Sequence, residues 1–221
     1  MPLFHLHPAL PFPAIIVTGG QAPVSCFVHE LAGQAQAIYA ADSGLYHLEA
    51  LGLRPDKWLG DQDSSRQKLP TGIETLTYAQ DKDASDTELA MVEAIRDGWE
   101  QIGIIAGRGS RMDHTLANML LLARYPLRVF MVDPGQWLTV VNAGHSLDLT
   151  GFCGYTLSLL PLGEKVAGIE LTGTKWPLTR AELAPGSQGL SNIIVQDQVR
   201  LSLQQGMLWL AVTDPDLVAH D

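Results

Sequence analysis

Two carboxylates stand two residues apart in Gly60-Asp61-Gln62-Asp63-Ser64. In an extended segment, side chains at i and i+2 leave on the same side. Two like charges held side by side repel unless something positive sits between them. A hard divalent cation with oxygen ligands meets that need, and Mg²⁺ on phosphates is the common case. More carboxylates follow the same habit: Asp42 in Asp42-Ser43-Gly44, then Asp81, Asp83 and Asp86 in Asp81-Lys82-Asp83-Ala84-Ser85-Asp86. Asp113 follows the loop Gly107-Arg108-Gly109-Ser110-Arg111-Met112.

That loop lets a backbone approach phosphate oxygens, as Gly-rich turns before helices do. It is neither a P-loop nor a dinucleotide fingerprint, because no GxxxxGK[ST] exists and Gly107-Arg108-Gly109 has no third Gly. Arg108 and Arg111 add forked cations that clamp phosphates well. Several of these residues have a second reading. Asp86 and Asp113 stand where a helix N-cap would stand. His114 is either an acid–base group or a packed helix N-terminal residue. Asp42-Ser43-Gly44 could bind a sugar hydroxyl or phosphate, or could simply be a turn.

The elements that must position these groups are short apolar strands alternating with helices. Ala14–Thr18, Ala35–Ala41, Lys57–Gly60, Ile73–Tyr78, Ile102–Ala106 and Arg128–Val132 read as strands. Ser43–Leu51, Asp86–Arg96 and Asp113–Arg124 read as helices. The alternation predicts a mostly parallel, doubly wound α/β sheet. Each acidic cluster falls just after one of the strands. The carboxyl ends of parallel strands share one edge, so segments distant in sequence converge there.

After Asp133-Pro134-Gly135 the pattern changes to closely spaced strand-like runs: 137–141, 146–149, 155–160, 166–171, 192–195, 199–203 and 207–212. Gly, Pro, Asn and Asp separate them, which predicts a small all-β, sandwich-like domain. The expected division is therefore an α/β domain over residues 1–134 and a β domain over 135–221.

Of the 221 residues, 46% are hydrophobic and 17% charged, enough for real cores with little disorder. The net charge of −10 comes with no basic stripe, which argues against a nucleic-acid partner. Cys26 and Cys153 make no metal spacing and read as buried or idle thiols in a reducing compartment. Met1–Pro13 lacks the basic n-region and apolar h-region of a signal peptide, and no run is long enough to span a membrane. The expected location is the cytoplasm.

Taken in order, Asp42-Ser43-Gly44, Gly60-Asp61-Gln62-Asp63-Ser64, Asp83–Ala90, Gly109–Asn118 and Gly189-Leu190-Ser191-Asn192 resemble the thiamine pyrophosphokinase family. The resemblance extends to Gly173-Thr174-Lys175-Trp176-Pro177-Leu178. It implies an N-terminal α/β domain, a C-terminal β-sandwich domain, and a homodimer with sites at the subunit interface. It implies transfer of the pyrophosphoryl group of ATP to the hydroxyl of thiamine, giving AMP and thiamine diphosphate. By the same resemblance, Asp61, Asp63 and Asp86 hold Mg²⁺. Asp42, Ser43, Gly44 and Ser85 line the nucleotide and phosphate side. Arg111 contacts phosphates, and Asp113 and His114 complete that pocket. Ser191 and Asn192 approach thiamine from the β domain. Trp176 is either an aromatic wall for the cationic ring or a core residue. The chain departs from many relatives at Ser43-Gly44-Leu45, where they carry Gly-Gly-Ala, and at Ile193.

Other readings carry different consequences. A pyrophosphokinase for a pterin alcohol keeps the fold and changes the acceptor. A metal-dependent phosphatase releases phosphate without an acceptor. A non-catalytic nucleotide or thiamine binder gives no product, and a structural dimer subunit would use its Asp residues only as caps.

Overall fold

Runs such as Ala-Ile-Ile-Val and Ile-Gly-Ile-Ile have no polar face to offer water. They form β2 (Ala14–Val17) and β6 (Ile102–Ile105), in which every residue is buried. A strand buried on consecutive residues is covered on both faces, as parallel sheets require. The computed structural model describes residues 3–6, 12–61, 71–78 and 83–218, and divides them between two compact units.

The first unit comprises Pro11–Arg124 and Arg128–Pro134. Its strands are β2, β3 (Ala37–Ala41), β4 (Lys57–Asp61), β5 (Glu74–Tyr78), β6 and β7 (Val129–Asp133). They lie in the order β7-β6-β2-β3-β4-β5, and every pairing is parallel. The order reverses at β2, which is flanked by β3 and β6. That is the switch point at which open parallel sheets bind ligands. The helices are α1 (Ser25–Gln34), α2 (Gly44–Ala50), α3 (Asp86–Arg96) and α4 (Met112–Leu121), the last extended by a 3₁₀ turn at Leu122–Arg124.

Sequence periodicity does not reveal α1. Its N-cap position is Val24, which offers no side-chain cap, and among its residues only Val28 and Leu31 are buried. Cys26 lies on it. Both Cys26 and Cys153 are free, and of the two readings the sequence left, buried or idle, their exposure removes the buried one.

A polar network anchors the amino ends of the strands. Lys57, the first residue of β4, reaches Glu93 at 3.0 Å and Asp97 at 2.8 Å. The Tyr39 hydroxyl donates to Asp97 at 2.5 Å and accepts from Trp99 Nε1 at 2.9 Å. Burial works against the Lys57 charge, yet the two carboxylates outweigh it and raise its pKa. Burial likewise opposes the Asp97 charge, but the hydrogen bonds from Lys57 and Tyr39 prevail and lower its pKa.

The second unit comprises Met1–Leu10, Tyr125–Leu127 and Gly135–Asp221. One sheet has the order β1-β9-β14-β11-β12 and the other β13-β10-β15-β8. The first is built from β1 (Leu3–Leu6), β9 (Ser146–Thr150), β11 (Val166–Thr172), β12 (Leu178–Leu183) and β14 (Gln198–Ser202). The second is built from β8 (Gln136–Asn142), β10 (Thr156–Pro161), β13 (Asn192–Ile193) and β15 (Met207–Thr213). Strict alternation of burial in β10 and β15 leaves one face of each strand in the core.

A single cut at residue 134 therefore does not describe the chain. Leu3–Leu6 pairs in parallel with β9, and Tyr125–Leu127 groups with the same unit. Neither β1 nor β12 is evident in the sequence. The polar run Leu-Thr-Arg-Ala-Glu-Leu of β12 is an edge strand, mostly outside the core, with a left-handed residue at Arg180 (φ +45°). No helix among the described residues is long and apolar enough to cross a membrane.

Candidate active site

The carboxyl edge of the parallel sheet opens into a cleft of about 750 Å³. Its lining comes from the ends of β2, β3 and β6 and from the starts of α3 and α4. Thr18, Asp42, Ser43, Ser85, Asp86, Arg111 and His114 all line it, so four segments that are far apart in sequence meet here.

Its floor is made by backbones in close approach. A Cβ on Gly20 would stand 2.0 Å from the Ala106 carbonyl oxygen and 2.3 Å from that of Arg108. A Cβ on Gly44 would stand 2.0 Å from the Val17 carbonyl oxygen. Real side chains never sit so close to backbone, so both positions require glycine. Gly20 N–H donates to Ala106 O (3.1 Å), and Gln21 N–H donates to Arg108 O (2.7 Å). Thr18 Oγ1 donates to Ala106 O at 2.5 Å. Because a carbonyl only accepts, His47 Nε2, 3.1 Å from Gly20 O, carries the proton.

Asp42 sits just past β3 in a left-handed conformation (φ +49°). Such a backbone persists only where its surroundings hold it. Here Asp42 N–H donates to Leu59 O (2.7 Å), and Trp58 Nε1 donates to Asp42 O (3.0 Å). Its Oδ1 is buried and accepts no hydrogen bond from any of the described residues. A buried, unsatisfied carboxylate oxygen is costly, so the cleft is built to receive a cation or a proton donor there.

Asp86 is not the cap of α3. Ser85 holds that position, and its Oγ accepts from Glu88 N–H at 3.2 Å. Asp86 is the first helical residue and lines the cleft. Asp113 is no cap either. Arg111 takes the N-cap position of α4 without a side-chain cap bond, and Asp113 lies in the first turn. The Arg111 guanidinium instead pairs edge-on with Asp113, through Nε–Oδ1 at 3.2 Å and Nη2–Oδ2 at 2.5 Å. The pair holds the Asp113 carboxyl below the usual carboxylate range.

Arg108, the other candidate phosphate clamp, is not in the lining and lies 3.5 Å from Asp133. Asp61 ends β4 on the same edge but is not in the cleft lining. Asp63 and Asp81 lie outside the described residues. Among the described residues no three His, Cys, Asp or Glu side chains gather closely enough to enclose a metal ion.

Other residues of the cleft have no role in the sequence reading. Thr18, Gly20 and Gln21 carry no signal beyond a Gly-Gly after a strand. Thr115 and Asn118 tie α4 to the glycine loop: Thr115 Oγ1 accepts from Gly109 N–H (3.1 Å), and Asn118 Nδ2 donates to Gly107 O (2.8 Å).

The β unit has a second opening of about 400 Å³, lined mainly by Leu157, Leu159, Leu171, Trp176, Leu190 and Asn192. Trp176 is 53% exposed, which rules out the core reading. Lys175 Nζ lies 4.7 Å from its ring centroid. Ser191 adopts φ +59°, and its N–H donates to Ser158 Oγ at 3.0 Å. A Cβ on Gly189 would meet Leu159 O at 1.9 Å, which explains the glycine of the Gly-Leu-Ser-Asn run.

A parallel sheet with an acidic, glycine-floored cleft at its switch point, in a chain that also carries an all-β unit, is the build of a two-part protein that binds a ligand at the sheet's carboxyl edge. Residues 28–131 match the catalytic domain of thiamin pyrophosphokinase, and residues 144–208 match the vitamin B1 binding domain of the same enzyme. The chain belongs to the thiamin pyrophosphokinase family, a family of enzymes.

A thiamine pyrophosphokinase of Bacillus subtilis is 27% identical over 177 residues, covering 76% of this chain and 82% of the relative. Thiamine pyrophosphokinase 1 of Arabidopsis thaliana is 23% identical over 181 residues, covering 73% and 68%. The crystal structure of a thiamin pyrophosphokinase from Geobacillus thermodenitrificans superposes with a TM-score of 0.76 at 27% identity, over 91% of this chain and 97% of that one. The Candida albicans thiamin pyrophosphokinase, at 13% identity, shares the fold with a TM-score of 0.73 over 96% and 93%.

Proposed function

We propose that this protein transfers the pyrophosphoryl group of ATP to the hydroxyl of thiamine, giving thiamine diphosphate and AMP. The observation that carries the reading is the Asp42 Oδ1 atom, buried in an acidic cleft and without a partner among the described residues. Polyphosphate cannot face bare carboxylates, so a cation must stand between them.

Asp61, Asp63 and Asp86 would hold Mg²⁺; of these Asp86 lines the cleft, as Asp42 does. The ion supplies charge neutralisation for the phosphates, which phosphoryl transfer needs more than covalent help. Ser43, Gly44, Ser85 and His114 border the nucleotide, and Gly107, Gly109 and Ser110 of the loop before α4 lie beside its phosphates. Arg111 stabilises charge on the transferring group, with Asp113 orienting its guanidinium. The thiamine hydroxyl oxygen forms a bond to the β-phosphorus, the bond from that phosphorus to the oxygen bridging to the α-phosphorus breaks, and AMP departs with that oxygen. The hydroxyl proton passes to a carboxylate, for which Asp63 and Asp86 are the candidates. Thiamine lies in the β unit's groove beside Trp176, with Ser191 and Asn192 at its edge.

The protein works as a homodimer in the cytoplasm. Met112, Leu116 and Leu120 form an exposed apolar stripe at i, i+4 and i+8 of α4, a surface suited to a partner. The exposed free thiols fit a reducing compartment.

The test is to incubate the protein with Mg²⁺, ATP and thiamine and to separate the products. AMP is expected to appear one-for-one with thiamine diphosphate. ADP in its place would mean an ordinary kinase, and phosphate without a modified acceptor would mean a phosphatase. An acceptor screen that includes a pterin alcohol covers the remaining acceptor class.

A further inference from the structure

Asn192 stands beside the groove of the β unit, but its side chain is already spent. Its Oδ1 accepts from Trp176 N–H at 3.1 Å and from Ile193 N–H at 2.9 Å. Its Nδ2 donates to Trp176 O at 2.7 Å and to Thr174 Oγ1 at 3.2 Å. A carboxamide has two acceptor lone pairs and two donor hydrogens, so all four are in use. The orientation of the amide is dictated by its neighbours, because backbone N–H groups only donate and a backbone carbonyl only accepts.

The surrounding segment is laced in the same way. Lys175 N–H donates to Ile193 O (2.8 Å), and the N–H groups of Val195 and Gln196 donate to Gly173 O (2.9 and 3.1 Å). Thr174 forms an isolated antiparallel bridge with Ile194 and is 5% exposed. A turn held at this many points fixes the backbone from which a large, half-exposed aromatic ring projects. Trp176 stands at the mouth of the groove, with Lys175 Nζ 4.7 Å from its ring centroid.

We infer that Asn192 is a positioning residue: it does not touch the acceptor, and together with Thr174 it clamps the backbone of Trp176 so that the indole forms a fixed wall of the acceptor groove. This rests on the reading that the groove takes the thiamine ring. The alternative is direct contact between the Asn192 amide and the acceptor, which would require breaking the clamp on binding.

A double-mutant cycle in the full chain separates these cases. Trp176→Ala is expected to raise the thiamine KM by about tenfold or more with kcat changed by less than about threefold, the signature of lost uniform binding. Asn192→Ala is expected to do the same, and the double variant to be no worse than Trp176→Ala alone, since residues acting through one another are not additive. A further loss in the double variant would mean direct contact and overturn the inference.

Asn192→Asp gives an independent arm. The clamp reading expects KM to rise as in Asn192→Ala, because a carboxylate oxygen then faces Trp176 O. A direct contact to a cationic acceptor expects Asp to bind as well as Asn or better, which would also overturn the inference. Should Asn192→Ala fail to fold, Thr174→Val removes one arm of the clamp and should raise KM in the same direction. It should also increase acrylamide quenching of the Trp176 emission, obtained as the difference from Trp176→Phe. Unchanged quenching in Thr174→Val counts against the clamp. If Trp176→Ala leaves the thiamine KM unchanged, the groove is not the acceptor site and both the reading and the inference fall, while AMP formation with thiamine would still support the overall activity.

Discussion

Arg111 lays its guanidinium along the Asp113 carboxylate, with Nε 3.2 Å from one oxygen and Nη2 2.5 Å from the other. Both side chains are about two-thirds exposed, at 66% and 65%. An exposed pair two residues apart contributes little to the fold. Its effect is to aim a forked cation at the mouth of the cleft.

Arg111→Ala should therefore lower kcat by on the order of 10²–10³-fold, while the melting temperature stays unchanged. Arg111→Lys should restore little, because a point charge cannot replace a planar fork. Steady-state kinetics with a parallel thermal melt check this. A large drop in melting temperature would mean that Arg111 serves the fold instead.

Ser85 and Asp86 are neighbours with separable duties. Ser85→Ala removes the cap of α3 and should cost about 1 kcal/mol, read as a fall in melting temperature of about 2–4 °C for a chain of this size. Asp86→Asn should leave the melting temperature within about 2 °C and should abolish most of the Mg²⁺-dependent turnover. Asp61→Asn should behave like Asp86→Asn. Full activity in either variant over a Mg²⁺ titration would remove that residue from the metal set.

Gly20→Ala places a methyl group against two backbone carbonyl oxygens, which cannot yield as a flexible side chain can. The loop after β6 must move, at a cost of about 1–3 kcal/mol. Calorimetry should show the destabilisation, and ATP binding should weaken with it, since the same backbones form the cleft floor. A fully stable Gly20→Ala protein would contradict the packing described.

The Lys57–Asp97 network makes stability depend on pH at both ends. The folded pKa of Asp97 is lowered, so its contribution is present above the ordinary carboxyl value and lost as pH falls through the folded one. That of Lys57 is raised, so its contribution is present below the ordinary lysine value and lost as pH rises through the folded one. Melting temperature should decline below about pH 4. Asp97→Asn should lower it at neutral pH by the equivalent of about 1–3 kcal/mol and flatten the acid decline. An unchanged acid limb in that variant would assign the pH dependence to other carboxylates.

Much of the cleft is legible in the chain because strand formation is local and the alternation of strands with helices implies parallel neighbours. Short apolar runs such as Ala14–Val17 and Ile102–Ile105, alternating with helical segments, read as doubly covered strands, and acidic residues placed after parallel strands share an edge. From this alone the sequence determined an α/β sheet, a β unit, and a meeting place for Asp42, Asp86 and Arg111. Long-range contacts decided what periodicity cannot carry. Edge strands β1 and β12 lack an alternating core pattern, and α1 lacks a cap. Asp86 and Asp113 could be told from caps only once Ser85 Oγ and the Arg111 pair were in place. The need for glycine at position 20 comes from carbonyls 86 and 88 residues away, and the spent amide of Asn192 from a backbone 16 residues earlier. Residue types set which chemistry the edge could perform. Only the folded chain decided which groups face the ligand and which are consumed in holding the others still, because a hydrogen bond satisfied by a distant partner leaves no mark in local sequence.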